Sequence, residues 1–233
     1  MKLVLPGRTG FELVLSKVAF SSIVAVLFHA AGLIGNLFFA SPFITNMTPI
    51  HLLLMGFLVF YSCDFVQRNF IMFGASVGVL GFTAEYVGVH TGLLFGDYEY
   101  GTVLGPDFRG VPWLIAVNWF VVVLGAAALM NVFVKQQRGL SKIQKQLFII
   151  IGGALLATAL DWMLEPVAIE LGYWQWAGSE IPIYNYVCWF VISLLCMVAF
   201  VMLKPHTNYF HALLFLAQMA FFTIMRLALP LNG

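Results

Sequence analysis

The stretch VPWLIAVNWFVVVLGAAALMNVFV, residues 111–134, contains no charged residue and is long enough to cross a lipid bilayer as a helix. Similar apolar stretches, separated by short polar joints, recur along the chain. Only 9% of the residues are charged and 62% are hydrophobic, whereas soluble domains carry about 25% charged residues. The sequence therefore predicts an all-α membrane helical bundle that forms a single transmembrane domain, 1–233. We expect about seven transmembrane helices, near 18–40, 49–66, 69–90, 111–134, 146–165, 181–203 and 208–229.

The basic residues are distributed unevenly between the two sides of a seven-span arrangement. Nine of them lie in joints on one side, and only Arg109 lies in a joint on the other. The positive-inside rule then predicts a cytoplasmic N-terminus and a multi-pass protein of the cell (inner) membrane. The net charge of +1 provides no basic surface for nucleic acid. The three cysteines have no metal-ligand spacing, so we expect neither a disulfide framework nor a zinc site.

The chain also matches itself at an offset of 76 residues, where FGDYEYG (95–101) lies over LGYWQWA (171–177). The same offset brings Glu85 over Asp161. Both copies run in the same direction through the membrane, which predicts a parallel internal repeat with a pseudo-twofold axis along the membrane normal. The two copies span about 74–134 and 150–203. We therefore expect Glu85 and Asp161 on opposite walls of one cavity near the outer leaflet.

Ionisable side chains inside a bilayer are costly and usually face a cavity, a partner or a pathway. Glu85 and Asp161 are the main catalytic candidates, and a hydrogen-bonded clamp between helices is the alternative. Glu165 either joins them or lies in the interface at the helix end before Pro166. Candidates for positioning substrate or water are His90, Asn118, Asn185, Tyr98, Tyr100, Trp174 and Trp176. The structural alternative is helix capping for His90 and helix–helix hydrogen bonding for the two asparagines. For the tyrosines and tryptophans it is an interfacial aromatic belt. We interpret His29, Asn36, His51 and Gln218 as helix-packing groups.

The chemistry that fits these residues is proton-driven and acts on a lipid-soluble substrate. No phosphate loop, dinucleotide fingerprint, haem attachment or HExxH motif is present, so we expect no cofactor and no metal. Burial disfavours ionisation, so one carboxyl can stay protonated while a neighbour is ionised. A protonated carboxyl can convert an alkene into a tertiary carbocation, which aromatic faces and a carboxylate stabilise. Attack by water gives hydration, whereas proton loss or ring closure gives isomerisation or cyclisation.

Three segments show a family resemblance: EYVGVHTGLLFGDYEYGTVLGPDFRGVPWLIAVNW (85–119), DWMLEPVAIELGYWQWAG (161–178) and IPIYNYVCW (181–189). Together they resemble the integral-membrane carotenoid biosynthesis family. Its characterised members are carotenoid 1,2-hydratases of the bisanhydrobacterioruberin hydratase and γ-carotene/lycopene 1′-hydratase types. The resemblance covers about residues 82–190, and the first, second and last spans contain no recognised motif.

The resemblance implies a hydratase that adds water to the terminal C1=C2 double bond of an acyclic carotenoid end group and leaves a tertiary alcohol. It also implies contact with membrane lipid and is compatible with association with other carotenoid-pathway enzymes. By this analogy, Glu85 and Asp161 are the acid and base in an order that the sequence leaves open. Glu165, His90, Asn118 and Asn185 would support or position the water.

Two other functions remain open. A lycopene-type cyclase would use the same carbocation but exclude water. A membrane transporter of a small or apolar solute would also place acids at a repeat interface. A retinal protein is excluded because residues 208–229 contain no lysine for a Schiff base.

Overall fold

The computed structural model of the chain describes residues 2–4, 12–14, 16–39, 42–178 and 180–228. The helices in these ranges are α1 (Lys17–Ile34), α2 (Pro42–Asn46), α3 (Thr48–Tyr61), α4 (Arg68–Thr91), α5 (Leu114–Gln136), α6 (Lys142–Glu170), α7 (Ile183–Leu203) and α8 (Tyr209–Ala228). A π-helical turn, Gly35–Phe39, extends α1. The strands form antiparallel pairs: β1 (Lys2–Val4) with β2 (Glu12–Val14), β3 (Tyr98–Tyr100) with β6 (Trp174–Trp176), and β4 (Asp107–Phe108) with β5 (Val111–Pro112).

Six helices in the described part of the chain have 20 to 29 residues and are apolar enough to cross a membrane, counting α1 together with its π-helical turn. The expected multi-pass, all-α bundle is therefore confirmed. The second expected span, 49–66, differs, because α3 has only 14 residues and ends before Asp64. A full crossing needs roughly 20 residues. Residues 40 and 229, which end the first and last expected spans, lie outside the described residues.

The central helix of the bundle is α5. In its most apolar window 61% of the residues are buried within the protein, against 22–39% for the other five long helices. It packs against α3, α4, α6, α7 and α8. The run 121–128, VVVLGAAA, is buried at every position, as expected for a helix that is apolar on all sides. Near the start of α5, Asn118 and the fully buried Trp119 line an internal cavity.

Helix α6 continues past Pro166 to Glu170 because a neighbouring helix compensates for the proline. Proline has no N–H, so the carbonyl of Trp162, four residues earlier, loses its helical hydrogen-bond donor. Arg226 of α8 donates from Nη1 to this carbonyl, and its guanidinium carbon lies 4.0 Å from the centre of the Trp162 ring. The contact keeps α6 helical through both Asp161 and Glu165.

Strands β3 and β6 join the loops that follow α4 and α6. Their register pairs Tyr98 with Trp176, Glu99 with Gln175, and Tyr100 with Trp174. The central pair, Glu99 and Gln175, is separated by the 76-residue offset of the sequence match. A twofold axis between two equivalent loops would produce this register, which supports the proposed internal repeat.

Candidate active site

Three carboxyl groups lie together near the ends of two helices. Glu85 is on α4, and Asp161 and Glu165 are one turn apart on α6. Their exposed fractions are only 5%, 2% and 2%. All three line one small cavity, the carboxyl cavity, of about 30 Å³, which has room for about one or two water molecules. Its other walls include Asn118 and Asn185.

Glu85 accepts hydrogen bonds from three side chains. Its Oε2 accepts from the hydroxyl groups of Tyr98 at 2.5 Å and Tyr100 at 2.7 Å, and its Oε1 accepts from Nε1 of Trp119 at 3.0 Å. Burial, together with the adjacent Glu85, raises the pKa of both tyrosines above the ordinary value. Both phenols therefore stay protonated at neutral pH and remain donors to Glu85.

The two acids of α6 share a donor. Nδ2 of Asn185 lies 3.0 Å from Oδ2 of Asp161 and 3.1 Å from Oε1 of Glu165. Oε2 of Glu165 also accepts from Nε1 of Trp174 and of Trp176, each at 3.0 Å. Among the described residues, Glu165 therefore accepts three side-chain hydrogen bonds and Asp161 only one. Glu85 also accepts three, so the number of donors sets Asp161 apart from the two glutamates.

The carboxyl cavity is covered by the β3–β6 sheet and walled by aromatic rings. Both tyrosines of β3 donate to Glu85, and both tryptophans of β6 donate to Glu165, so the sheet is tied to both acidic helices. Deeper in the cavity, Trp119 and Trp189 stack with ring centres 3.9 Å apart and an angle of 10° between the rings. Among the residues that the structure describes, no lysine, arginine or histidine belongs to the lining.

A second, larger cavity adjoins the carboxyl cavity. This apolar chamber has a volume of about 280 Å³, close to the lower end of the usual range for small-ligand sites, about 300–1,000 Å³. Ile115, Asn118 and Trp174 line both cavities and form the junction between them. Leu164, which neighbours Glu165 on α6, also lines the chamber. An apolar ligand in the chamber therefore has one end next to the carboxyl groups.

The structure brings most of the expected site residues together. The carboxyl cavity is lined by Glu85, Asp161, Glu165, Asn118, Asn185, Tyr98, Tyr100, Trp174 and Trp176. His90 is not among them. Its exposed ring stacks on Tyr86, and its Nδ1 bonds the carbonyl of the same residue at 2.8 Å. His90 lies five residues after Glu85, so its side chain points away from the acidic face of α4.

Trp119 and Trp189 were not predicted as site residues, although the sequence contains a signal for them. Beyond the loops the offset of the repeat becomes 70 residues, and VPWLIAVNW (111–119) then lies over IPIYNYVCW (181–189), which matches Trp119 with Trp189. The apolar chamber had no such signal, because its lining comes from several separate elements. Among the described residues, no group of three or more His, Cys, Asp or Glu is arranged to hold a metal ion.

Comparison with known proteins identifies the family. The carotenoid biosynthesis protein family matches residues 47–231, and thus extends the resemblance beyond 82–190. A bisanhydrobacterioruberin hydratase from Haloarcula japonica is 27% identical over 120 residues, which are 50% of this chain and 39% of that protein. The matched region thus spans well under half the length of this relative. No solved structure matches the chain. Because the family match covers most of its length, this chain belongs to the carotenoid biosynthesis protein family.

Proposed function

We propose that the protein is a carotenoid hydratase that adds water to the terminal C1=C2 double bond of an acyclic end group. The main supporting observation is that a water-sized cavity lined by three carboxyl groups adjoins an apolar chamber. Hydration combines a polar and an apolar reactant, and each of the two cavities suits one of them. The family and the relative named as a hydratase support the same chemistry.

The volume of the carboxyl cavity suits water, and the volume of the apolar chamber suits the end group of the substrate. About 30 Å³ admits water but not a branched isoprenoid end. The chamber of about 280 Å³ accepts an end group, whereas the much longer polyene has to extend beyond it. We infer that the reacting double bond lies at the junction formed by Ile115, Asn118 and Trp174, with water on the carboxyl side.

The hydrogen-bond donors suggest which acid carries the proton. Donors stabilise a carboxylate in its ionised form. Glu85 and Glu165 each accept three side-chain bonds, so we assign them as carboxylates. Asp161 accepts one, from Asn185, and we assign it as the general acid. In the described part of the chain no cationic side chain lines the cavity, and like charges so close disfavour ionisation of all three groups.

The reaction then has two steps. Asp161 gives its proton to C2, the double-bond electrons form the new C–H bond, and the positive charge develops at the more substituted C1. The oxygen of water bonds to C1 while Glu165 accepts a proton from that water. Transfer of this proton from Glu165 to Asp161, one helical turn away, restores the starting state. The net change is the addition of one water molecule to the substrate.

The walls of the carboxyl cavity are suited to the cationic intermediate. Aromatic faces attract positive charge, most strongly those of tryptophan. Trp174 lines both cavities at the junction where the double bond is placed, and the Glu85 carboxylate provides a fixed negative charge on the carboxyl side. Electrostatic groups that are already oriented stabilise a developing charge without having to reorganise. We assign Glu85 to this role.

Turnover in water labelled with heavy oxygen tests the proposal directly. Purified protein in lipid is given an acyclic carotenoid, and the product is analysed by mass spectrometry, with protein-free lipid as the control. We expect one labelled hydroxyl group for each modified end. A ring product without label would support the cyclase and overturn the hydratase. Unchanged pigment that is redistributed across the bilayer would support a transporter and also overturn it.

The route of the polyene out of the chamber gives a further prediction. Phe28 of α1 and Ile50 of α3 line the chamber, yet their side chains are 48% and 59% exposed. We therefore propose that the chamber opens to lipid between these helices. An Ile50→Trp variant should obstruct the opening and raise KM for a long carotenoid about tenfold, which corresponds to about 1.4 kcal/mol.

A short acyclic isoprenoid that fits inside the chamber serves as the comparison substrate, and its KM should stay nearly unchanged in Ile50→Trp. Leu53→Trp is the matched control, because Leu53 is also exposed on α3 but does not line the chamber. An equal change in KM for the long and short substrates would contradict an opening at this position.

A further inference from the structure

The apolar chamber contains polar side chains that the hydration chemistry does not use. His29 of α1, His51 of α3 and Gln218 of α8 all line it. The rings of His29 and His51 meet edge to face with centres 4.6 Å apart. His29 and Gln218 are only 8% and 5% exposed, so both side chains are buried where they line the chamber. Such groups are costly in a membrane interior unless they have partners.

Two of these side chains, His29 and Gln218, each leave a hydrogen-bond acceptor available to a ligand. Nδ1 of His29 lies 2.8 Å from the carbonyl oxygen of Ala25, so this nitrogen is the N–H donor and Nε2 is left as an acceptor. The side-chain oxygen of Gln218 is buried without a hydrogen-bond partner among the described residues. Buried polar atoms normally have partners, so this oxygen requires a donor.

We propose that His29, His51 and Gln218 form a binding site for a hydroxyl group on the apolar ligand of the chamber. A hydroxyl group donates one hydrogen bond and accepts others, so it can donate to Gln218 and accept from an N–H of His51. A carbonyl or ether oxygen only accepts and would leave the Gln218 oxygen unpaired. The ligand is thus a branched isoprenoid that carries an alcohol. The assignment of this site to the substrate rests on the proposed function. The prediction that the chamber binds an alcohol does not.

Binding of two saturated ligands tests the site without any turnover, since neither has a double bond to react. Tetrahydrogeraniol is a branched alcohol small enough for the chamber, and dimethyloctane is its matching alkane. Affinities are measured for the full-length protein in lipid nanodiscs and corrected for partition into protein-free nanodiscs. We expect the alcohol to bind about tenfold more tightly than the alkane after this correction.

Gln218→Met keeps the length of the side chain and removes its amide, so it should abolish the preference for the alcohol while alkane binding stays within about twofold. Phe222→Leu changes an apolar wall of the same chamber and should lower the affinities for the alcohol and the alkane by the same factor. Equal binding of the two ligands by the unmodified protein, or a preference that persists in Gln218→Met, would overturn the site. Loss of the heavy-oxygen label with a retained alcohol preference would overturn the hydratase but leave this site standing.

Discussion

The Asp161→Asn variant is expected to lose kcat by on the order of 10³-fold, because the amide has no acidic proton to give to the alkene. The side chain has almost the same shape, and its amide oxygen can still accept from Nδ2 of Asn185. Folding and membrane insertion should therefore be preserved. Single-turnover hydration, measured by product chromatography on protein that elutes as one species in size exclusion, checks this prediction.

Two other acid-to-amide variants provide the comparison. Glu85→Gln should also abolish turnover, since the proposed mechanism assigns its carboxylate, which accepts three donors, to stabilise the cation. Glu99→Gln should be nearly fully active, because Glu99 is exposed on β3 between the two tyrosines and does not line the carboxyl cavity. If Asp161→Asn kept activity within tenfold of the unmodified protein, Asp161 would not be the general acid.

Much of the bundle and of the acidic site was predictable from sequence. Long apolar stretches are a strong signal, because the bilayer requires a nearly constant helix length. The internal match indicated that Glu85 and Asp161 belong together, and both line one cavity in the structure. The sequence was less informative about the residues at which helices end. Asp64 indicated that the second span is short but not that α3 ends at Tyr61, and Pro166 suggested a helix end where α6 continues to Glu170.

Tertiary contacts explain most of what the sequence could not provide. The continuation of α6 depends on Arg226, which is far away in the chain and donates to the carbonyl of Trp162. His90 and Asn118 both resembled water-positioning residues, yet only Asn118 lines the cavities. The chamber is formed by side chains from different helices and loops, so neither periodicity nor the repeat indicates it. Polar residues scattered along the sequence, such as His29 and Gln218, become neighbours only after packing.

Gly81→Ala is expected to destabilise the protein and remove its activity, although it adds only one methyl group. A Cβ at this position would lie 2.7 Å from Cβ and Cδ1 of Trp119 and closer still to its Cγ. Trp119 has no room to move, because it is fully buried, stacks on Trp189 and donates to Glu85. Relief of the clash therefore requires α4 and α5 to separate, at a cost of about 1–3 kcal/mol.

Gly78→Ala is the matched control for this prediction, since Gly78 lies one turn away on the same face of α4. A Cβ there would be 3.5 Å from the carbonyl oxygen of Ala116 and 3.6 Å from its Cβ, which is ordinary contact. Alanine is also favoured over glycine within a helix by about 1 kcal/mol. The Gly78→Ala protein should thus keep its Tm and kcat, whereas Gly81→Ala should melt several degrees lower and lose most of its turnover. Equal tolerance of both substitutions, measured by thermal unfolding in detergent, would mean that close packing of Gly81 on Trp119 does not hold Glu85 in place.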